Sequence, residues 1–200
     1  MPRAVDADDR RREIATAALR LISTKGYRAL TLRAVAAELN GSLTLVTHYY
    51  ASREELLKDM ATQLMSQWDE ELATLERDAT DASERLRLFL EWMIPMDEQG
   101  ELEERARIIL AAETRSEHPD IQETLNTWDL AMRSALQERV AAVIEDPEEV
   151  KSVAEILRVF TNGVVLSVIE HPDEWPSERQ GGVLDRVLSR LNLQGARSTH

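Results

Sequence analysis

The stretch from Thr31 to Leu57 reads TLRAVAAELNGSLTLVTHYYASREELL. The Thr31 hydroxyl is placed to satisfy an orphan amide in the first turn of a helix. Leu32, Val35, Ala36 and Leu39 then recur at helical spacing and give one apolar face. Asn40-Gly41 ends that helix with two residues that accept positive φ at little cost. Ser42 is a second cap, and it opens the segment Leu43 to Tyr50. There Leu45, Val46 and Tyr49 are apolar, while Thr44, Thr47 and His48 stay polar. Ser52 caps a third helix whose first turn holds Glu54 and Glu55, where the helix dipole favours negative charge. A helix, a tight turn and a second short helix form the arrangement that sets its second helix in the major groove of DNA.

Upstream, residues 1–9 read as an arm. Arg10 to Lys25 reads as an amphipathic helix carrying Ile14, Ala17, Ala18, Leu21 and Ile22, stopped by Gly26. Downstream, Leu57, Met60, Leu64, Trp68, Leu72 and Leu75 continue one helical stripe from Ser52 to about Arg77. That predicts a strut of roughly 35–40 Å at ~1.5 Å per residue. Beyond it, Pro95, Pro119, Pro147, Pro172 and Pro176 punctuate the chain at helical intervals. The spacing predicts helices from Asp81 or Ser83 to Met93, Glu101 to Arg115, Pro119 to Val143, Pro147 to Ile169 and about Arg179 to Leu193. No alternating strand pattern interrupts them, so the fold class is all-α: an N-terminal three-helix helix-turn-helix domain, then a larger helical domain. The boundary is set at 1–51 and 52–200, with the helix 52–77 linking the two.

Charge is divided along the chain. Residues 1–60 hold ten Lys/Arg against eight Asp/Glu, whereas the other 140 hold fourteen against twenty-nine. A basic end on an acidic protein with a net charge of -13 leaves that end as the docking face for phosphate. The chain has no cysteine, which excludes disulfides and thiolate metal sites and suits a reducing cytoplasm. The charged N-terminus gives no signal peptide, and no apolar run approaches a membrane span of roughly 20 residues, so the expectation is a cytoplasmic protein with no membrane partner. His48, His118, His171 and His200 are scattered, with no metal-ligand spacing, no phosphate-cradling loop and no nucleophile motif. No catalytic residue, metal or cofactor is expected, and the chain is read as no enzyme.

One helix departs from amphipathicity. From Gly163 to Ile169 the sequence is GVVLSVI, apolar all round, and such a helix must be covered on every side. Gly163 and Ser167, four residues apart, permit close helix contact. With the last helix beside it, the segment reads either as half of a four-helix dimer interface or as the central helix of a monomer. The dimer set is Gly163, Val165, Leu166, Ser167 and Ile169 with Leu184, Val187, Leu188 and Leu191.

Gly26-Tyr27, Thr31-Leu32, Ala36, Ser42, His48-Tyr49-Tyr50 and Ser52-Arg53-Glu54-Glu55-Leu56-Leu57 together resemble the N-terminal signature of TetR-family transcriptional regulators. The resemblance covers about residues 10–60 without gaps. It implies a three-helix DNA-binding domain, a larger helical ligand-binding domain and a homodimer built from the last two long helices. Three departures stand out against the family pattern. Asn40 replaces the usual turn glycine, Gly41 replaces an apolar residue under the reading helix, and Thr44 and Thr47 replace a glycine and an aromatic on it.

Within this reading, Leu43, Thr44, Thr47 and His48 are candidates for facing base edges. Thr31, Arg33, Ser42, Tyr49 and Arg53 are candidates for phosphate contacts. Tyr49 is open to a second role as a packing ring. Phe89, Trp92, Met93, Met96, Ile109, Trp128 and Phe160, with Glu113 as an orienting group, are candidates for an effector pocket. The function expected is a repressor of double-stranded operator DNA released by a small, largely apolar ligand. The alternative is a helical small-molecule-binding or partner-adaptor dimer that has lost specific DNA binding.

Overall fold

The computed structural model describes residues 7–66, 68–115 and 117–194. Among these residues there are ten α-helices, two short 3₁₀ turns and no strand. In order, the helices are α1 Ala7–Lys25, α2 Leu32–Glu38, α3 Leu43–Thr47, α4 Arg53–Ser66, α5 Trp68–Leu75, α6 Ala82–Trp92, α7 Glu98–Glu113, α8 Pro119–Ala141, α9 Pro147–Glu170 and α10 Ser177–Arg190. The 3₁₀ turns are Tyr27–Ala29 and Pro172–Glu174. The expected arm over residues 1–9 lies outside the described residues as far as residue 6, and Ala7, Asp8 and Asp9 already belong to α1. The helix expected over 52–77 is described as α4 and α5, and residue 67 between them lies outside the described residues.

Local chemistry sets most of these boundaries. Gly26 has φ 83°, and its amide donates to Ile22 O at 2.9 Å, which ends α1. Thr31, Ser42, Asp81 and Asp146 each accept a first-turn amide as N-caps of α2, α3, α6 and α9. Pro119 and Pro147 open α8 and α9 at first-turn positions, where the missing N–H is no loss.

The chain groups into two compact units. One comprises the described parts of Met1–Gln67 with Leu102–Thr127, and the other those of Trp68–Glu101 with Trp128–His200. In the first, α1 packs against α4 and α2 against α3, over a core that includes Ile14, Ile22, Leu30, Val46, Tyr50 and Leu57. Its later segment buries Ala106, Leu110, Ile121 and Leu125. Between them the buried Thr114 hydroxyl donates to Leu110 O at 2.7 Å and accepts from Gln122 Nε2 at 2.8 Å.

The second unit is organised on Leu86, Phe89, Leu90, Met132, Leu157 and Leu184, all closed to solvent. Polar ties cross its helices: Arg87 to Asp185 at 3.0 Å, and Arg139 to Glu76 at 2.6 Å. The Arg139 guanidinium also lies 4.4 Å from the Phe89 ring centroid, so it covers the ring as well as neutralising the carboxylate. By length and composition α9 is apolar enough to cross a membrane, with a mean hydropathy of 1.6 over eighteen residues. This differs from the expectation that no apolar run approaches a span: Lys151, Glu155 and Arg158 break the run, but only in the first half of the helix. In the structure Val153, Leu157, Val164 and Val168 of this helix are core residues.

Phe89→Ala removes the ring from the closed core and the surface on which Arg139 lies. The expected cost is about 3–5 kcal/mol. It is read as a lowered urea midpoint with unchanged far-ultraviolet dichroism at zero denaturant.

Candidate nucleic-acid interface

The turn between α2 and α3 is closed by two backbone bonds: the Gly41 amide donates to Ala36 O at 2.8 Å, and the Asn40 amide to Ala37 O at 3.0 Å. Asn40 lies at φ 52°, so the left-handed residue of this closure is the asparagine. Gly41 keeps ordinary φ, but a Cβ there would stand 2.9 Å from Leu45 Cδ2. Leu45, one turn into α3, therefore fills the space that a larger residue at 41 would take.

α3 itself is five residues long and buries Val46 alone. Leu43, Thr44, Thr47 and His48 are all exposed, the last as its C-cap, so the four candidates for base contact share the open side of the reading helix. The Thr47 hydroxyl donates to Thr44 O at 3.3 Å. The His48 ring meets Tyr49 edge-on at 4.9 Å. Tyr49 is half-buried, with one part in the packing and one part at the surface.

The proposed phosphate residues divide. Thr31 and Ser42 spend their hydroxyl oxygens on Ala34 N at 3.0 Å and Leu45 N at 3.2 Å. Their hydroxyl hydrogens remain as donors for an oxyanion. Arg33 is exposed and has no ion pair among the described residues. Arg53 is half-buried and turned inward, donating from Nε to Leu30 O at 2.8 Å and from Nη2 to Tyr27 O at 3.0 Å.

A buried network that no periodicity announces seats the end of the motif. Tyr50, fully closed to solvent, donates its hydroxyl to the Asp59 carboxylate on α4. Asp59 also accepts from Gln63 Nε2 at 3.0 Å and lies 3.7 Å from the Arg11 guanidinium on α1. Burial first, and then the Asp59 hydrogen bond and charge, push the Tyr50 hydroxyl far above the ordinary tyrosine range. Tyr50 and Asp59 stand nine positions apart on separate segments, and no motif in the sequence joins them.

Of the residues proposed for an effector, Phe89 is buried, while Trp92, Met93, Met96, Trp128 and Phe160 are half-buried on the core of the second unit. The Trp92 indole donates to the Glu71 carboxylate at 3.0 Å. Ile109 and Glu113 belong to the first unit, where Ile109 is half-buried and Glu113 exposed. Beside the turn from α8 to α9 is an open groove of about 640 Å³ lined by residues that include Gln137, Ala141, Ile144, Pro147 and Lys151. None of the proposed effector residues lines it. No cluster of metal ligands occurs among the described residues.

The proposed dimer set also divides. Val165, Leu184 and Leu188 are buried in the protomer's own core, whereas Gly163 is exposed and Leu166 is 47 % exposed. Ser167, Ile169, Val187 and Leu191 are half-buried. Ile156 and Val159, at 48 % and 66 % exposure, extend the open side of α9 toward its N-terminus.

Comparison with known proteins reads the two parts of the chain separately. Residues 14–60 match the model of bacterial regulatory proteins of the tetR family, and residues 82–192 match the C-terminal model of BetI-type transcriptional repressors. The HTH-type nicotine-responsive transcriptional repressor HdnoR of Paenarthrobacter nicotinovorans is 24 % identical over 196 residues, covering 92 % of this chain and 97 % of that protein. The HTH-type transcriptional regulator PksA of Bacillus subtilis is 29 % identical over 100 residues, half of this chain and 48 % of its own length. Among solved structures, a transcriptional regulator from Saccharomonospora viridis in complex with choline superposes with a TM-score of 0.79 at 17 % identity. That match covers 91 % of this chain and 96 % of that one.

The Tyr50–Asp59 pair gives a pH dependence whose sign is fixed. A hydroxyl held protonated in the folded chain contributes stability below the unfolded tyrosine value of about 10, and loses it as pH climbs toward the folded value. Tyr50→Phe is expected to cost about 1.5–3 kcal/mol at neutral pH through the lost bond to a charged acceptor. It should also flatten the alkaline limb of stability, measured by urea melts between pH 7 and 11.

Proposed function

The chain belongs to the TetR family of bacterial regulatory proteins, and we propose that it is a repressor that leaves its operator when a small molecule binds. Members of this family regulate transcription by binding DNA and are not enzymes. The observation that carries the specific reading is the open side of α3. Leu43, Thr44, Thr47 and His48 face solvent together, on a helix capped by Ser42 and preceded by an intact turn. Methyl, hydroxyl and imidazole groups at that surface suit thymine methyls and base-edge donors and acceptors. Thr31, Ser42 and Arg33 fix the register on phosphates. Work on DNA of this kind supports a cytoplasmic location.

The effector we propose is a small, largely apolar molecule bearing a nitrogen base. A relative named as nicotine-responsive and a structural neighbour in complex with choline support the nitrogen, and the half-buried Trp92, Trp128, Phe160, Met93 and Met96 support the apolar body. A protonated or quaternary nitrogen gains from an indole face, more so where water is excluded. For release, the ligand must prefer the form that does not fit the operator. Typical couplings of ~1–3 kcal/mol change DNA affinity about 5- to 150-fold.

A second copy of the chain completes the reading, because two-fold operators need two reading helices. Ile156, Val159, Gly163 and Leu166 recur at spacings of three, four and three on one side of α9, the pattern of a helix seam. The close approach is permitted by Gly163, where a Cβ would meet nothing within 4 Å inside the protomer.

Gel shift against duplexes selected from a random pool, followed by calorimetric titration of nitrogen bases with and without saturating duplex, tests the regulator. Selection of a defined sequence and a weaker ligand affinity on DNA are expected. Equal ligand affinities in both titrations would mean that no coupling exists. For assembly, Leu166→Glu should yield folded monomers in sedimentation velocity at micromolar concentration while the wild type sediments as a dimer. Val165→Glu, placed in the protomer's own core, should unfold the chain instead.

A further inference from the structure

We propose that Arg53 is a positioning residue of the DNA-binding module and makes no phosphate contact; the proposal rests on the DNA-binding reading above. Arg53 is the first residue of α4, where a cation works against the helix dipole. Its guanidinium compensates by reaching back to the turn that precedes α2. Nε and Nη2, the two donors of one guanidinium edge, bind Leu30 O at 2.8 Å and Tyr27 O at 3.0 Å. The same group lies over the Tyr27 ring at 4.3 Å, and a third, longer contact runs from Nη1 to the Tyr27 hydroxyl at 3.4 Å. Tyr27 and Leu30 are buried, and the Tyr27 and His118 rings are inclined at 64° with centroids 6.4 Å apart.

This geometry fixes the guanidinium plane by a fork and a stack at once. Delivering the same edge to a phosphate would take the donor from Leu30 O and leave Tyr27 O with only the 3.3 Å bond from the Leu30 amide, in residues that are buried. What the contact holds is the launch point of α2: Leu30 directly precedes Thr31, the N-cap, and α2 carries α3. A lysine would keep the charge but could supply neither the planar fork nor the stacked face. Phosphate neutralisation then falls to Arg33, exposed and without an ion pair among the described residues.

The test uses full-length wild type, Arg53→Lys, Arg53→Ala and Arg33→Ala against the duplex that the wild type selects from a random pool. Affinity is measured as a function of salt, with folding monitored by circular dichroism. Failure of the wild type to select any sequence would count against the DNA reading itself. Given selection, Arg53→Lys should lose on the order of tenfold in affinity, melt at lower temperature and keep the wild-type salt slope. Arg33→Ala should lower the slope by about one. If Arg53→Ala does not fold, Arg53→Lys decides alone. Wild-type affinity in Arg53→Lys, or a salt slope reduced by about one in Arg53→Ala, would overturn the proposal.

Discussion

A helix of five residues does not persist in water by itself, since isolated helices need about 12–15 residues even with favourable composition. α3 has five, and only Val46 among them is buried. Its order must therefore come from what surrounds it. Ser42 supplies a cap at one end, Leu45 fills the space beside Gly41, and at the other end Tyr50 is sunk completely and tied to Asp59. α4 serves this seat twice, once through Asp59 and once through Arg53, which grips the turn ahead of α2. The exposed side of α3 is free for recognition because the helix is held by Leu45 and Val46 on its other side and by groups before and after it.

The second unit solves the opposite problem. All four tryptophans and both phenylalanines of the chain belong to it, in a stretch of strong negative charge. Large rings in such a place need covering without trapped unpaired charge. Arg139 does this for Phe89 while its charge is met by Glu76 and its Nη1 donates to Ala135 O at 3.0 Å. Arg158 on α9 is met by Asp129 on α8, which also binds Arg133 at 2.7 Å. Those two cations hold the Asp129 carboxyl below the usual range against the opposing effect of burial. Half-buried pairs of this kind add little net stability, but losing one partner is costly, so they fix which helix faces meet.

Much of this was legible in the sequence because it is written in local chemistry. Caps at Thr31, Ser42 and Asp81, prolines at 119 and 147, and the left-handed Gly26 and Asn40 act within a few residues, and the helices begin and end where they direct. What remained hidden depends on residues far apart in the chain. Nothing local reveals that Arg53 turns toward carbonyls 23 and 26 positions earlier. In GVVLSVI every side is apolar, so periodicity does not separate Val165, which faces the core, from Leu166, which does not. The grouping of Leu102–Thr127 with the chain up to residue 67 is likewise a property of tertiary packing, invisible to motifs read along the chain.

The departures from the family pattern bear on whether this is a regulator or an adaptor that no longer reads DNA. Loss of the apolar residue at 41 would matter if it left a void beneath α3, since voids in a small core cost stability directly. Leu45 occupies that space, and both backbone bonds of the turn are made across Asn40. The substitutions at 40 and 41 thus compensate within the motif and leave the helix seated. Those at 44 and 47 are of another kind. Both threonines are exposed, neither contributes to the seat, and Thr47 makes only a long bond to its own helix. Changes that spare the support of a reading helix and alter its open face change which bases it can meet. That pattern supports a regulator with its own operator over an adaptor, because the helix keeps its seat and presents an open, largely polar face.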